Sequence, residues 1–156
     1  MGGKAENQEE ETNKVIQQRE RLKVQLSCVS QWLNLLEDGT NLQPYFKDHQ
    51  CNRIAVYGAA EMGRLLLKEI EREDVAEVLY FLDKNAERQR EKWGVPVYLP
   101  EEFAGLPQVD MVVVTAVSYI KAIQNVLLQI RPEVPVVSLE RIISTRKEEV
   151  WYNGGR

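Results

Sequence analysis

The chain reads Arg53-Ile54-Ala55-Val56-Tyr57-Gly58-Ala59-Ala60-Glu61-Met62-Gly63-Arg64 where an apolar run meets a turn that contains two glycines. The first five residues predict a β-strand because apolar and β-branched side chains predominate in them. Beyond the turn, apolar residues recur at helical spacing among charged ones, at Met62, Leu65, Leu66 and Ile70. We therefore predict a strand, a tight turn and a helix over residues 53–70.

The same alternation of strand and helix patterns continues toward the C-terminus. Two wholly apolar runs and a later valine-rich run predict buried strands, at residues 78–82, 111–114 and 134–138. A weaker run at 95–98 contains a proline and predicts an edge strand or a loop. Helical spacing returns in a further apolar set, at Ile120, Ile123, Leu127 and Ile130. The pattern predicts an α/β domain over residues 45–145, with an open parallel sheet of four to five strands and helices on both faces.

Both ends of the chain differ in character from this domain. Residues 1–13 hold no large apolar side chain after Met1 and predict a disordered tail, and residues 146–156 predict a polar tail. Residues 14–38 predict a long amphipathic helix with apolar residues on one stripe, at Val15, Leu22, Leu26, Val29, Leu33 and Leu36. Such a helix can pair with a second copy as a short coiled coil or fold back on the sheet. We expect its C-terminal half to pack on the domain and its N-terminal half to project into a homodimer.

Composition limits the classes of protein to which the chain can belong. Hydrophobic residues make up 44% and charged residues 28%, as in ordinary globular domains. The net charge of -4 provides no basic surface for nonspecific nucleic-acid binding. Two cysteines without paired spacing, Cys28 and Cys51, indicate a reducing compartment, so we expect a cytoplasmic protein. No apolar run approaches the length of a membrane span, and we expect no membrane partner.

The glycine turn has the residue types that a nucleotide-binding turn requires. Such a turn uses one glycine for the reversal, a small residue beside the phosphates and another glycine where helix meets strand. Gly58, Ala60 and Gly63 occupy these places, although the methyl group of Ala60 departs from the usual glycine. Asp83 follows the second predicted strand, where a carboxylate can accept hydrogen bonds from ribose hydroxyls. The alternative is purely structural: the glycines allow a tight joint and Asp83 caps the next turn.

Neighbouring residues complete the predicted site and determine which cofactor it favours. Thr115 and Ala116 follow a central strand at the edge of the sheet where ligands of parallel sheets bind, although Thr115 is equally suited to cap a helix. An acid at position 83 repels a 2′-phosphate, so NAD is favoured over NADP, and Lys84 softens that preference. Catalytic residues are not identified. A tyrosine that exchanges a proton during hydride transfer needs a lysine four residues later on the same helix, whereas Tyr119 and Lys121 are two residues apart. The lone His49 and the two cysteines do not make a metal site, and none is predicted.

Four segments together resemble a known family of domains. They are the turn at residues 57–64, Phe81-Leu82-Asp83-Lys84-Asn85, Gly94-Val95-Pro96-Val97 and Val112-Val113-Val114-Thr115-Ala116. They are similar to the Rossmann-type domain at the start of bacterial polysaccharide-biosynthesis nucleotide-sugar epimerases and dehydratases. Similar domains are appended to bacterial glycosyltransferases and sugar methyltransferases. The resemblance implies a Rossmann-like fold over roughly residues 50–143.

The same resemblance implies which residues bind the nucleotide. In that family the glycine-containing turn and the acid after the second strand hold it, which corresponds here to Gly58, Ala59, Ala60, Met62, Gly63 and Asp83. We expect NAD or a nucleotide-sugar to bind in bacterial sugar or cell-envelope metabolism, without a complete catalytic set in this chain. One alternative is an NAD-dependent epimerase or oxidoreductase completed by a partner or a dimer. Another is a structural interaction module whose nucleotide site has decayed.

Overall fold

A computed structural model describes residues 2–154 of the chain. Its helices are α1 (Gly3–Glu37), α2 (Gln43–Asp48), α3 (Glu61–Glu71), α4 (Ile120–Ile130) and α5 (Leu139–Gly154), with 3-10 helices at Pro100–Gly105 and Val117–Tyr119. Its strands are β1 (Arg53–Tyr57), β2 (Glu77–Leu82), β3 (Glu91–Lys92), β4 (Val95–Tyr98), β5 (Met111–Val114) and β6 (Val136–Ser138). The fold is therefore α/β, as the alternating patterns predict.

The strands form one six-stranded sheet in the order β3-β4-β2-β1-β5-β6. Five of them are parallel to their neighbours, and β3 alone runs antiparallel, to β4. The prediction of four to five strands is corrected by β3, a two-residue strand whose Glu91 and Lys92 carry no apolar signal. A turn at Trp93 and Gly94, both with positive φ, folds β3 back on β4. Without β3, the strand order is that of a Rossmann-like fold, whose order reverses between β1 and β5.

Helices cover both faces of the sheet because successive side chains of each strand point to opposite sides. Ile54 and Val56 of β1 belong to the core that packs under α3, α5 and the C-terminal half of α1. Ala55 and Tyr57 belong to a second core under α4 and the Pro100–Gly105 helix. The predicted arrangement with helices on both faces is confirmed.

The residues of the long N-terminal helix that are buried against the domain lie in its C-terminal part. Cys28, Trp32 and Leu35 are buried, whereas residues 2–27 are exposed. The indole N–H of Trp32 donates to Glu69 Oε2 on α3 at 2.8 Å, and the backbone N–H of Leu42 donates to Glu69 Oε1 at 2.8 Å. This buried carboxylate fixes α1 and the start of α2 to the body of the domain.

Both ends of the chain are more helical than the sequence patterns indicate. Residues 3–13, predicted as a disordered tail, belong to α1, because the segment after Gly3 consists largely of good helix formers. Residues 146–154, predicted as a polar tail, belong to α5. The buried side chain of Arg146 anchors the start of this segment, since its Nε donates to the carbonyl of Asn41 at 2.9 Å and its Nη2 to Thr40 Oγ1 at 2.6 Å. These bonds tie α5 to the loop after α1.

Candidate functional site

The turn between β1 and α3 requires glycine at its first and last predicted positions. Gly58 has a φ of +112°, and a Cβ there would collide with Thr115 Oγ1. A Cβ on Gly63 would collide with the carbonyl oxygen of Gly58 and would lie 3.2 Å from Phe81 Cε1. The helix α3 therefore approaches β1 as closely as backbones allow, which brings its N-terminus to the edge of the sheet.

Side chains from two neighbouring strands hold this turn in place. The backbone N–H of Ala59 donates to Asp83 Oδ2 at 2.8 Å, and that of Asn85 donates to Asp83 Oδ1 at 2.8 Å. Thr115 Oγ1 lies 3.0 Å from the carbonyl oxygen of Tyr57, to which it donates. Each oxygen of Asp83 therefore already accepts one bond, and a carboxylate with about four acceptor positions has two left for a ligand.

The N-terminus of α3 has no side chain that caps it. Ala60 is the N-cap residue, in an extended conformation, and it makes no side-chain hydrogen bond to the first turn of the helix. The first intrahelical bond runs from the N–H of Arg64 to the carbonyl of Ala60. The preceding N–H groups of a helix lack intrahelical acceptors, and the helix dipole adds positive potential there. The end of α3 therefore offers donors to an anion, such as a phosphate group.

A cleft of about 910 Å³ opens beside this helix end. It lies at the carboxyl ends of β1, β2 and β5, where ligands of open parallel sheets bind. Its polar lining includes Tyr57, Glu61, Asp83, Lys84, Asn85, Glu101, Thr115 and Tyr119, and Gly58 and Ala60 line it at the turn. Its apolar wall comes from Met62, Pro100, Ala116, Ala122, Ile123 and Val126. The volume lies within the range of about 300–1,000 Å³ that is usual for small-molecule and cofactor sites.

Most of the site residues predicted from the sequence come together around this cleft. Seven of them line it: Gly58, Ala60, Met62, Asp83, Lys84, Thr115 and Ala116. The other two, Ala59 and Gly63, are buried behind the turn. Ala59 acts on the turn through its backbone, and Gly63 through the absence of a side chain.

The long helix α1 also contributes to the cleft, which sequence reasoning missed. Gln25 lines it, and the guanidinium of Arg21 donates to the hydroxyl of Tyr119 and lies 5.6 Å from the centre of the Tyr119 ring. Tyr119 ends the short helix that follows β5, so these contacts place α1 across one side of the opening. No local sequence signal indicates this contact, because it joins residues far apart in the chain.

The charge of the cleft lining is mainly negative. Its lining includes the acidic residues Glu61, Asp83 and Glu101 and the basic residue Lys84. Arg64 Nε donates to Glu61 Oε2 at 3.0 Å, and this hydrogen bond lowers the pKa of Glu61. Burial raises the pKa of the Tyr57 hydroxyl, and the nearby carboxylates add to the effect. Tyr57 is therefore a neutral hydrogen-bonding group at ordinary pH. The acidic residues of the lining disfavour ligands that carry an additional phosphate on the ribose.

The remaining reactive residues do not assemble a second centre. His49 stacks on Tyr45 with ring centroids 4.0 Å apart, and its Nδ1 lies 2.8 Å from the Tyr45 carbonyl. Cys28 and Cys51 are buried as free thiols. Within residues 2–154, no three His, Cys, Asp or Glu side chains are grouped so that they could hold a metal ion. In the same part of the chain, no helix combines the length and apolar character needed to cross a membrane.

Comparison with known proteins supports the fold. UDP-D-quinovosamine 4-dehydrogenase from Vibrio fischeri is similar in structure, with a TM-score of 0.50, 19% sequence identity, and coverage of 56% of this chain and 76% of that one. A protein of unknown function from the DUF364 family of Pyrococcus horikoshii matches with a TM-score of 0.37, 21% identity, and coverage of 58% and 33%. No family model and no curated protein sequence matches the chain. The first likeness supports a Rossmann-like α/β fold. At 19% sequence identity it supports the fold and nothing further.

Proposed function

We propose that residues 45–145 form a Rossmann-like domain that binds NAD or a nucleotide-sugar in bacterial sugar or cell-envelope metabolism. The observation that carries the proposal is the opening of the uncapped N-terminus of α3 into a cleft of about 910 Å³ beside Asp83. A nucleotide needs donors for its phosphates and an acceptor for its ribose hydroxyls. Both lie here at the point where the strand order reverses.

The geometry suggests an orientation for the ligand. The phosphates occupy the end of α3, where Ala60 and Met62 line the cleft. The ribose lies toward Asp83, whose two unused acceptor positions can receive its hydroxyl groups. The ring or sugar that remains lies along the apolar wall, which includes Ile123 and Val126. NAD suits this arrangement better than NADP, because a 2′-phosphate would meet the negative charge of Asp83.

Lys92 limits how far the turn can adapt to a phosphate. Its ammonium group donates to the carbonyl oxygen of Ala59, while the N–H of Ala59 is held by Asp83. The peptide groups at Ala59 are thus committed to the protein, and the ligand must use the donors of Ala60 and the first turn of α3. The methyl group of Ala60 restricts the approach of a bulky pyrophosphate, so we expect modest affinity.

Calorimetric titration of the full chain tests the proposal, with UDP, a UDP-sugar, NAD and NADH as ligands. We expect at least one nucleotide to bind, and binding of none of the four contradicts the proposal. The role of Asp83 is best tested from the ligand side, because replacement of Asp83 also loosens the turn. A charge-assisted hydrogen bond from a ribose hydroxyl contributes about 1.5–3 kcal/mol, so 2′-deoxy-UDP or 3′-deoxy-UDP should bind about tenfold or more weakly than UDP.

The Asp83→Asn variant supplies the matched control for that comparison. It retains a side chain of the same shape but has fewer acceptor positions and no charge. If Asp83 accepts a ribose hydroxyl, the variant should bind UDP and the deoxy analogue with nearly the same affinity. If the preference for the ribose is unchanged in the variant, another residue makes the contact. An assay for change in nicotinamide absorbance with UDP-sugars, run on the same samples, tests the alternative of hydride transfer.

A further inference from the structure

The outer face of α1 carries a row of apolar side chains, most of them exposed to solvent. This outer stripe consists of Val15, Leu22, Leu26, Val29, Leu33 and Leu36, which from Leu22 onward alternate by four and three residues. Leu26 is 68% exposed and Leu33 is 53% exposed. The buried residues Cys28, Trp32 and Leu35 lie on the adjacent face of the helix, which attaches α1 to the domain and leaves most of the stripe exposed. The alternation is that of the seam of a coiled coil.

The apolar surface extends beyond the stripe onto the body of the domain. A shallow groove of about 100 Å³ separates α1 from α3, and Val29, Leu33 and Leu36 form one of its sides. Leu65 of α3 lies on the other side. The stripe and the groove together form a continuous apolar surface at the C-terminal half of α1, which is the kind of patch that marks an interface.

We propose that a second copy of this chain covers the outer stripe, with the two α1 helices antiparallel. The alternation of four and three residues suits pairing with a helix that has the same spacing, and the stripe extends over about 33 Å of helix.

The antiparallel orientation follows from the charges along the stripe. Arg19 lies at a seam position, and in a parallel pair it would face Arg19 of the second copy. In an antiparallel pair where Leu26 meets Val29 of the second copy, Leu22 meets Leu33, and Arg19 lies beside Leu36 and Glu37. Within residues 2–154, neither Arg19 nor Glu37 takes part in an ion pair. The antiparallel arrangement pairs these two charges twice, once at each end of the seam.

Sedimentation equilibrium of the full chain tests the association. We expect a mass of twice 18.0 kDa, and a monomer at all accessible concentrations overturns the proposal. Leu26→Glu should give a monomer, because the seam would then contain two buried carboxylates. Leu128→Glu is the matched control, since Leu128 is an exposed leucine on α4, outside the stripe, and this variant should remain a dimer. Circular dichroism of both variants verifies that each is folded.

A charge exchange tests the orientation without changing the apolar seam. Arg19→Glu and Glu37→Arg should each raise the dissociation constant of the dimer about tenfold, because each puts like charges side by side. The double variant should return the constant to near the value of the unmodified chain. In a parallel dimer the two positions do not meet, so absence of this rescue contradicts the antiparallel pairing. The exchange lies outside the nucleotide cleft, and nucleotide titration should therefore give the same affinity for all four proteins.

Discussion

Replacement of Glu69 by glutamine tests how α1 is attached to the domain. Glu69 is 4% exposed, and its two carboxylate oxygens accept the indole N–H of Trp32 and the backbone N–H of Leu42. Glutamine retains the size of the side chain but replaces one acceptor by an NH₂ group. One of the two buried donors then lacks an acceptor, which costs about 1–3 kcal/mol of unfolding free energy.

Urea denaturation followed by circular dichroism measures this loss. With a urea dependence of about 1–3 kcal/mol per molar, the midpoint should fall by about 1 M. Glu71→Gln on the same helix is the matched control, because Glu71 is exposed, and its effect should stay within about 0.5 kcal/mol. If Glu69→Gln is no more destabilising than Glu71→Gln, the buried bonds to Trp32 and Leu42 do not stabilise the attachment of α1.

The pH dependence of the same comparison has a definite sign. Burial raises the pKa of Glu69 above its ordinary value, and the hydrogen bonds from Leu42 and Trp32 oppose that effect only in part. A carboxyl group with a raised folded-state pKa contributes its full stability below the unfolded pKa of about 4.3, and the contribution is lost as pH rises through the folded pKa. The deficit of Glu69→Gln should therefore be largest near pH 4 and smaller at neutral pH, and a deficit that grows with pH contradicts this reasoning.

Three further predictions concern the turn, the thiols and the wall of the cleft. Gly63→Ala should destabilise the fold by about 1–3 kcal/mol in thermal unfolding, because its Cβ meets the Gly58 carbonyl, and an unchanged midpoint refutes the close approach. Burial raises the pKa of the Cys28 thiol to about 11, so native protein at pH 8 should leave it unmodified by a disulfide reagent that labels it in denaturant. Rapid native labelling would contradict its burial. Arg21→Ala removes the hydrogen bond that holds Tyr119 in the cleft lining, so nucleotide binding should weaken about twofold to fivefold. An unchanged affinity means that this contact does not shape the cleft.

The sequence patterns locate the central strands well because those strands are wholly apolar. Residues 111–114 are buried on both faces of the sheet and are all apolar, and this unbroken apolar run distinguishes them from loops and exposed helices. The short β3 has no such pattern, since Glu91 and Lys92 are polar and their pairing depends on the turn that follows. That turn is hard to predict, because Trp93 adopts a positive φ although it is not one of the residue types that usually do so.

Only part of the candidate site could be predicted from the sequence. Gly58 and Asp83 could be identified because turn geometry and strand ends impose residue types at fixed spacing. The bond from the Ala59 N–H to Asp83 was not predictable, because either a ligand or the protein itself can use that acceptor. The contribution of Gln25 was equally hidden, since it depends on how Trp32 and Glu69 orient α1 against the domain.

Amide chemical shifts measured during a nucleotide titration test the central claim most directly. In ¹⁵N-labelled full chain, the donors at the end of α3 should respond to a phosphate, and the N–H of Ala59 should respond to a change at Asp83. We predict that UDP or NAD shifts the resonances of Ala60, Glu61, Met62 and Gly63 most strongly, with smaller shifts at Thr115 and Ala116. The absence of shifts with either nucleotide, or shifts confined to α1 and α5, would contradict the assignment of this cleft as a nucleotide site.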